Sequence, residues 1–155
     1  LDTALDVRGI GVTRALTGPC SPDFFQHYGA DFLYAVHHQM LSESYLGRRV
    51  HDALVTLDLL ASRGASDIHL VGRGLGGVIA AFTAALHPAV GRVTLRNTIR
   101  SFHELTQTPK QSWPLSSLPW GILEVTDLPE ITKYLKKVKK LRIEEPWDSA
   151  MKPAK

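Results

Sequence analysis

The chain has 155 residues, of which 44% are hydrophobic and 21% are charged, and its formal net charge at pH 7 is +3. The single cysteine, Cys20, excludes an internal disulfide, and no apolar run is long enough to cross a bilayer. Six cations lie within ten residues near the C-terminus, so the positive excess is local, unlike the distributed basic face of a nucleic-acid-binding protein. We expect a soluble protein with one domain over residues 1–150 and a loose tail at residues 151–155.

Apolar periodicity divides the chain into alternating strands and helices. It predicts strands at residues 5–11, 68–71, 92–97 and 139–145. It predicts helices at residues 23–40, 48–63, 78–86 and 129–137, and an irregular stretch at residues 101–128. This alternation is typical of parallel strands joined by right-handed crossovers. The expected fold class is α/β, a three-layer αβα arrangement with a mostly parallel sheet of about four strands.

Residues 67–81 predict a short apolar strand, a tight glycine turn and a helix that begins at once. So sharp a reversal needs glycine, because a Cβ would clash at positive φ and between the packed elements. Two kinds of site use this construction. Gly72, Gly74 and Gly77 fit the dinucleotide-binding pattern Gly-x-Gly-x-x-Gly. Gly72, Gly74 and Gly76 fit the nucleophile elbow Gly-x-Ser-x-Gly, with glycine in place of the nucleophile.

Several motifs occur in the order and at the spacing of a known enzyme family. They lie at residues 6–11, 47–52, 72–77, 92–95 and 140–143, with Asp148 after the last. Together they resemble the α/β-hydrolase superfamily, most closely its acetyl-xylan-esterase-like and dienelactone-hydrolase-like members. The resemblance implies that Gly74 stands at the nucleophile position and Asp148 at the position of the triad acid. It also leaves the backbone N–H of Leu75, at a helix N-terminus, as a group that can bind an anion.

The chain departs from that family at the residues that perform the chemistry. Gly74 has no oxygen to attack an acyl carbon, and no histidine follows Asp148. Without a nucleophile and a base, acyl transfer has no covalent step. Glycine also relieves about 1–3 kcal/mol of backbone strain at such a turn. We therefore expect a catalytically inactive α/β-hydrolase-like domain, derived from or part of a larger esterase-like protein, that acts as a structural or interaction module.

Two alternatives stay open at this point. The first is an active carbohydrate or carboxyl esterase completed by segments outside this chain. The second is an NADP-binding domain in which Gly72, Gly74 and Gly77 approach the pyrophosphate and Arg96 contacts the 2′-phosphate. One observation argues against the NADP-binding alternative, because the glycine turn follows the second predicted strand and not the first. We expect no cofactor and no metal, since the histidines form no metal-binding pattern with carboxylates.

The expected partner is another polypeptide. In the fold that the sequence resembles, a further strand lies between the strand at residues 5–11 and the strand before the glycine turn, and no segment here replaces it. A strand edge without a partner recruits another chain readily. We therefore expect a homodimer or docking with the remainder of a larger polypeptide, and neither a nucleic-acid nor a membrane partner. The sequence identifies neither a small-molecule ligand nor a cellular location.

Overall fold

The computed structural model describes residues 2–13 and 30–154 and has a mixed α/β fold, as the sequence predicts. Its α-helices are α1 (Ala30–Met40), α2 (Tyr45–Ser62), α3 (Leu75–Leu86), α4 (Phe102–Thr106) and α5 (Leu128–Val138). Its strands are β1 (Ile68–Arg73), β2 (Val90–Arg96) and β3 (Lys140–Glu144). Short 3-10 helices lie at Gly11–Thr13, Leu115–Ser117 and Ile122–Glu124. No helix in these two ranges has both the length and the apolar character needed to traverse a bilayer.

The three strands form one parallel sheet in the order β1-β2-β3. The predicted strand at residues 5–11 is wrong, because residues 2–7 have no regular secondary structure and a 3-10 turn follows. The Asp6 carboxylate instead accepts a hydrogen bond from the Val12 N–H (3.0 Å), which folds this segment into a turn. Within the described part of the chain, the sheet therefore has three strands where the sequence predicts about four, and β1 lies at its edge.

The predicted helices are present in the described residues, and three of them begin before the predicted position. Helix α2 starts at Tyr45 because the Ser44 hydroxyl caps it, accepting the Gly47 N–H at 3.0 Å. Helix α3 starts at Leu75, directly after the glycine turn, three residues before the predicted position. The predicted cap at Asp23 and the loop around Cys20 lie outside the described residues.

The core is centred on helix α3, which packs against β1 and β2 and is flanked by α2 and α5. Its buried face consists of small side chains, and Val78, Ala81 and Ala84 have no exposed surface. Small residues allow the helix axis to approach the sheet closely, so β1 and α3 are held together immediately after the turn that joins them.

The strand side chains alternate between two faces of the sheet. One face packs against the core and carries Leu70, Val93, Leu95 and Leu141. The opposite face, here called the open sheet face, carries His69, Val71, Arg73, Arg92, Thr94, Arg96, Lys140, Arg142 and Glu144. All of these except Thr94 and Glu144 are exposed to solvent. The described helices therefore leave most of this face uncovered.

The stretch predicted to be irregular contains helix α4 and two 3-10 turns, and it packs on the core through Trp113, which is fully buried. Asp127 ties this stretch to helix α5, since its carboxylate accepts the N–H groups of Phe102 (2.7 Å) and Leu128 (2.7 Å). Burial opposes ionisation of Asp127, but these bonds and that from the Ser101 hydroxyl outweigh it and hold its pKa below the usual value. One carboxylate thus caps two helices.

Candidate functional site

The glycine turn joins β1 to α3 at the carboxyl end of the sheet. Gly74 is the single residue between Arg73, the last residue of the strand, and Leu75, the first of the helix. Its backbone has φ +55° and ψ −122°, a conformation that residues with a Cβ rarely adopt. Its N–H donates to the Arg96 carbonyl of β2 (2.9 Å), which fixes the turn to the neighbouring strand. The strand–turn–helix construction predicted from the sequence is confirmed.

Packing explains two of the other glycines. A Cβ at Gly72 would collide with the backbone carbonyl of Gly76, so the strand and the first helical turn can approach only without it. A Cβ at Gly77 would collide with the side chain of Thr98. By contrast, a Cβ at Gly74 would meet no atom within 4 Å. Position 74 therefore has room for a Cβ, and its backbone conformation is what disfavours one.

The N-terminus of α3 is the predicted anion-binding position. Gly74, the N-cap residue, has no side chain to cap the first turn of α3. The Gly74 carbonyl accepts the N–H groups of Gly77 (3.0 Å) and Val78 (3.4 Å), and these close the first helical turn. Leu75 therefore lies where the sequence places it, at the start of a helix directly after the elbow.

Asp148, the predicted triad acid, follows β3 and thus lies beyond the same carboxyl edge of the sheet as Gly74. Its Oδ1 atom accepts the N–H groups of Ala150 (2.9 Å) and Lys152 (3.0 Å). Its carbonyl accepts the indole N–H of Trp113 (2.8 Å). Asp148 therefore has a structural role, because its carboxylate stabilises the turn that follows β3.

Asn97 links the ends of all three strands, and it is not among the residues predicted from the sequence. Its Oδ1 atom accepts the Nε–H of Arg73 (2.9 Å), and its Nδ2 donates to the Glu145 carbonyl (3.1 Å). Its backbone has φ +49°, which asparagine tolerates better than most residues. An asparagine directly after a strand is a signal for such a position, but its partners, at the ends of β1 and β3, are not visible in the sequence.

Arg96, the residue proposed for the 2′-phosphate of NADP, lies on the open sheet face. Its Nε pairs with Glu144 Oε2 at 2.6 Å, and its side chain is 59% exposed. Dinucleotides bind at a point where the strand order reverses, and β1 is an edge strand in the described sheet. The described residues also contain no group of three or more His, Cys, Asp or Glu side chains placed to hold a metal.

A second polar cluster joins two motifs that are far apart in sequence. Arg8 binds Asp52 with its Nε (2.8 Å) and Nη2 (2.5 Å), and its own N–H donates to the same carboxylate. These hydrogen bonds hold the pKa of Asp52 below its usual value and raise that of Arg8. This pair is not predicted from the sequence, because its two residues lie 44 positions apart. Residues 6–11 and 47–52 are therefore in direct contact.

Arg49 completes this cluster beneath the surface. Its side chain is 1% exposed, pairs with Asp31 of α1 and donates from Nε to the Arg8 carbonyl (3.0 Å). Its guanidinium also lies 4.2 Å from the centre of the Tyr45 ring. Arg49 thus connects the N-terminal segment, α1 and α2, which gives this cluster a structural character.

Comparison with known proteins assigns the chain to no family. The chain matches no protein-family model, no curated protein and no solved structure. The resemblance to α/β-hydrolases therefore stays a prediction that rests on the chain's own residues and on their arrangement.

Proposed function

We propose that this chain is a catalytically inactive α/β-hydrolase-like domain that acts as a structural or interaction module. The observation that carries the proposal is Gly74, which occupies a strand–turn–helix elbow at positive φ and has no side chain. An elbow of this shape exposes a nucleophile in hydrolases, and glycine cannot supply one. The structural use of the Asp148 carboxylate supports the same conclusion.

The proposal extends to the fold. We expect a fourth strand beside β1 and a second layer of helices over the open sheet face, both from polypeptide other than the described residues. Two observations support this. The outer edge of β1 makes no backbone hydrogen bond with the described part of the chain. Purely parallel sheets are normally covered on both faces, and here the described helices lie on one.

The Gly74→Ser variant tests the loss of catalysis. We expect it, like the wild-type chain, to hydrolyse p-nitrophenyl acetate no faster than a protein-free control. The new hydroxyl would lack a general base, whose help is worth about 10²–10⁴-fold. The variant should also lose about 1–3 kcal/mol of unfolding free energy, because serine is strained at this φ although a Cβ meets no neighbour.

Gly76→Ser is the matched control, because position 76 also has free space for a Cβ but lies inside the helix without positive φ. It should lose much less stability than Gly74→Ser. Saturable turnover by the wild-type chain that Asp148→Asn abolishes would contradict the proposal, and so would turnover gained by Gly74→Ser.

The interaction role predicts that the chain associates through the outer edge of β1. Before Arg73 the strand has no acidic residue, lysine or arginine, and its exposed positions there are His69 and Val71, of which Val71 is 56% exposed. Uncharged edge strands pair readily with other strands. Sedimentation velocity at tens of micromolar should show a homodimer for the wild-type chain and a monomer for Val71→Lys, since a lysine on an edge strand opposes pairing.

Val71→Thr is the control for this experiment, because threonine keeps the β-branched shape without adding a charge. It should leave the dimer intact. A monomeric wild-type chain at every concentration would disprove association through this edge, and a dimer that survives Val71→Lys would place the interface elsewhere.

A further inference from the structure

The open sheet face carries a concentrated positive charge. In the register of the sheet its side chains form three rows, each with one residue from every strand. The first row is His69, Arg92 and Lys140, the second is Val71, Thr94 and Arg142, and the third is Arg73, Arg96 and Glu144. Five of these nine side chains are Lys or Arg and one is acidic. The bond between His69 Nε2 and Thr94 Oγ1 (2.9 Å) confirms that adjacent rows share one face.

The carboxylates on this face do not use up the donors of its arginines. Glu144 contacts the Nε atoms of Arg96 (2.6 Å) and Arg142 (2.7 Å), and Asp67 lies 3.7 Å from Nε of Arg92. A guanidinium has five N–H donors, so each recorded contact leaves four for other acceptors. The side chain of Arg142 is 76% exposed. The face therefore presents oriented cationic donors to whatever lies over it.

We propose that the open sheet face binds an acidic amphipathic helix of a partner protein. Helices are the elements that cover the faces of parallel sheets. Because the open sheet face is positively charged, a helix that binds to it should be acidic. The exposed Val71 in the middle row gives the apolar side of such a helix a contact. Acidic side chains on both flanks of the helix would accept hydrogen bonds from the surrounding arginines.

Spacing supports a helical partner. Lys140 and Arg142 are two residues apart on β3, which separates them by about 6.6 Å along the strand. Carboxylates at positions i and i+4 of a helix are separated by about 6 Å along its axis. A row of acidic residues with that period therefore matches the cations along the strand.

Two other occupants fit less well. Proteins that bind single-stranded nucleic acid on a sheet stack bases on aromatic side chains, and no strand position of this face is aromatic. A second copy of the chain would need an exposed acidic surface. Many of its described carboxylates are already engaged with cations or helix ends, among them Asp31, Glu43, Asp52, Glu104 and Asp127.

The test measures binding of a fluorescent helical peptide in which rows of glutamate flank a strip of leucine. Fluorescence anisotropy at low ionic strength should show saturable binding to the wild-type chain. The double variant Arg92→Glu/Arg142→Glu should weaken it by at least about tenfold, because two attractions become repulsions. The peptide with glutamine in place of glutamate should not bind. Addition of the peptide to the wild-type chain should change the amide NMR chemical shifts of residues in β1, β2 and β3.

Lys133→Glu/Lys137→Glu is the matched control, since it changes the net charge equally on exposed positions of α5. It should change the affinity less than about threefold. An equal loss in both double variants would overturn the proposal by showing binding to net charge alone. Absence of peptide binding to the wild-type chain, or tighter and competing binding of polyuridylate, would also overturn it.

This inference rests on the proposed role as an interaction module, and the two fail in different experiments. Ester hydrolysis by the chain would remove the proposed function and leave the peptide measurement unaffected. Absence of peptide binding would disprove the acidic partner. It would not affect the proposed lack of catalysis or the proposed association through β1.

Discussion

Replacing Arg49 with alanine should cost about 3 kcal/mol of unfolding free energy, a large part of the stability of a domain of this size. The substitution removes the pair with Asp31, the hydrogen bond to the Arg8 carbonyl and the packing on the Tyr45 ring. It also leaves a cavity where a fully buried side chain was. Urea denaturation followed by tryptophan fluorescence would measure the loss as a lower midpoint.

The neighbouring arginine provides the control. Arg48 pairs with Glu43 at the surface, and its side chain is 47% exposed. Exposed ion pairs contribute little, so Arg48→Ala should leave the denaturation midpoint nearly unchanged. Equal effects of the two substitutions would show that Arg49 does not connect the N-terminal segment and α1 to α2.

Gly72→Ala should destabilise the chain by about 1–3 kcal/mol although it adds only one methyl group. The added Cβ would collide with the backbone carbonyl of Gly76, and backbone cannot move aside as a flexible side chain can. The strand and the helix would have to separate at the turn, which disturbs the packing of α3. Thermal unfolding monitored by circular dichroism would record a lower Tm.

Gly76→Ala, only four residues away in the sequence, should have the opposite effect on stability. Its Cβ would meet no atom within 4 Å, and alanine is the better helix former. The variant should therefore gain about 0.4–1 kcal/mol. A stabilised Gly72→Ala, or a Gly76→Ala variant as unstable as Gly72→Ala, would contradict the close approach at this turn.

The sequence predicts the glycine turn well because each requirement is local. Positive φ at Gly74 and close approach at Gly72 belong to a single stretch of strand, turn and helix. The strand predicted at residues 5–11 is wrong because that segment is held by a contact that periodicity does not report. Arg8 binds Asp52 of helix α2, 44 residues away. The segment is therefore attached to α2 and does not pair with the sheet.

The described residues bear on only one of the two predicted helix layers. Strand–helix alternation predicts helices on both faces of the sheet, but the residues of the strands themselves carried a different signal. Arg92, Thr94 and Arg96 alternate with apolar residues in β2, and Lys140 and Arg142 do so in β3. Such alternation is typical of a sheet with one apolar and one polar face. Asn97 was missed because its partners, Arg73 and Glu145, lie 24 and 48 residues away in the sequence.

The two edges of the sheet have a consequence for the symmetry of any assembly built on them. The exposed side chains of β1 include one cation, Arg73, at its end, whereas β3, at the other edge of the described sheet, carries the two exposed cations Lys140 and Arg142, which oppose further pairing. Two copies that pair β1 with β1 use the same surface twice, so a two-fold axis relates them. In such a pair the β1 edge of each described sheet is occupied. The two sheets would then form one continuous six-stranded sheet, and the pairing through β1 would close on itself without propagating.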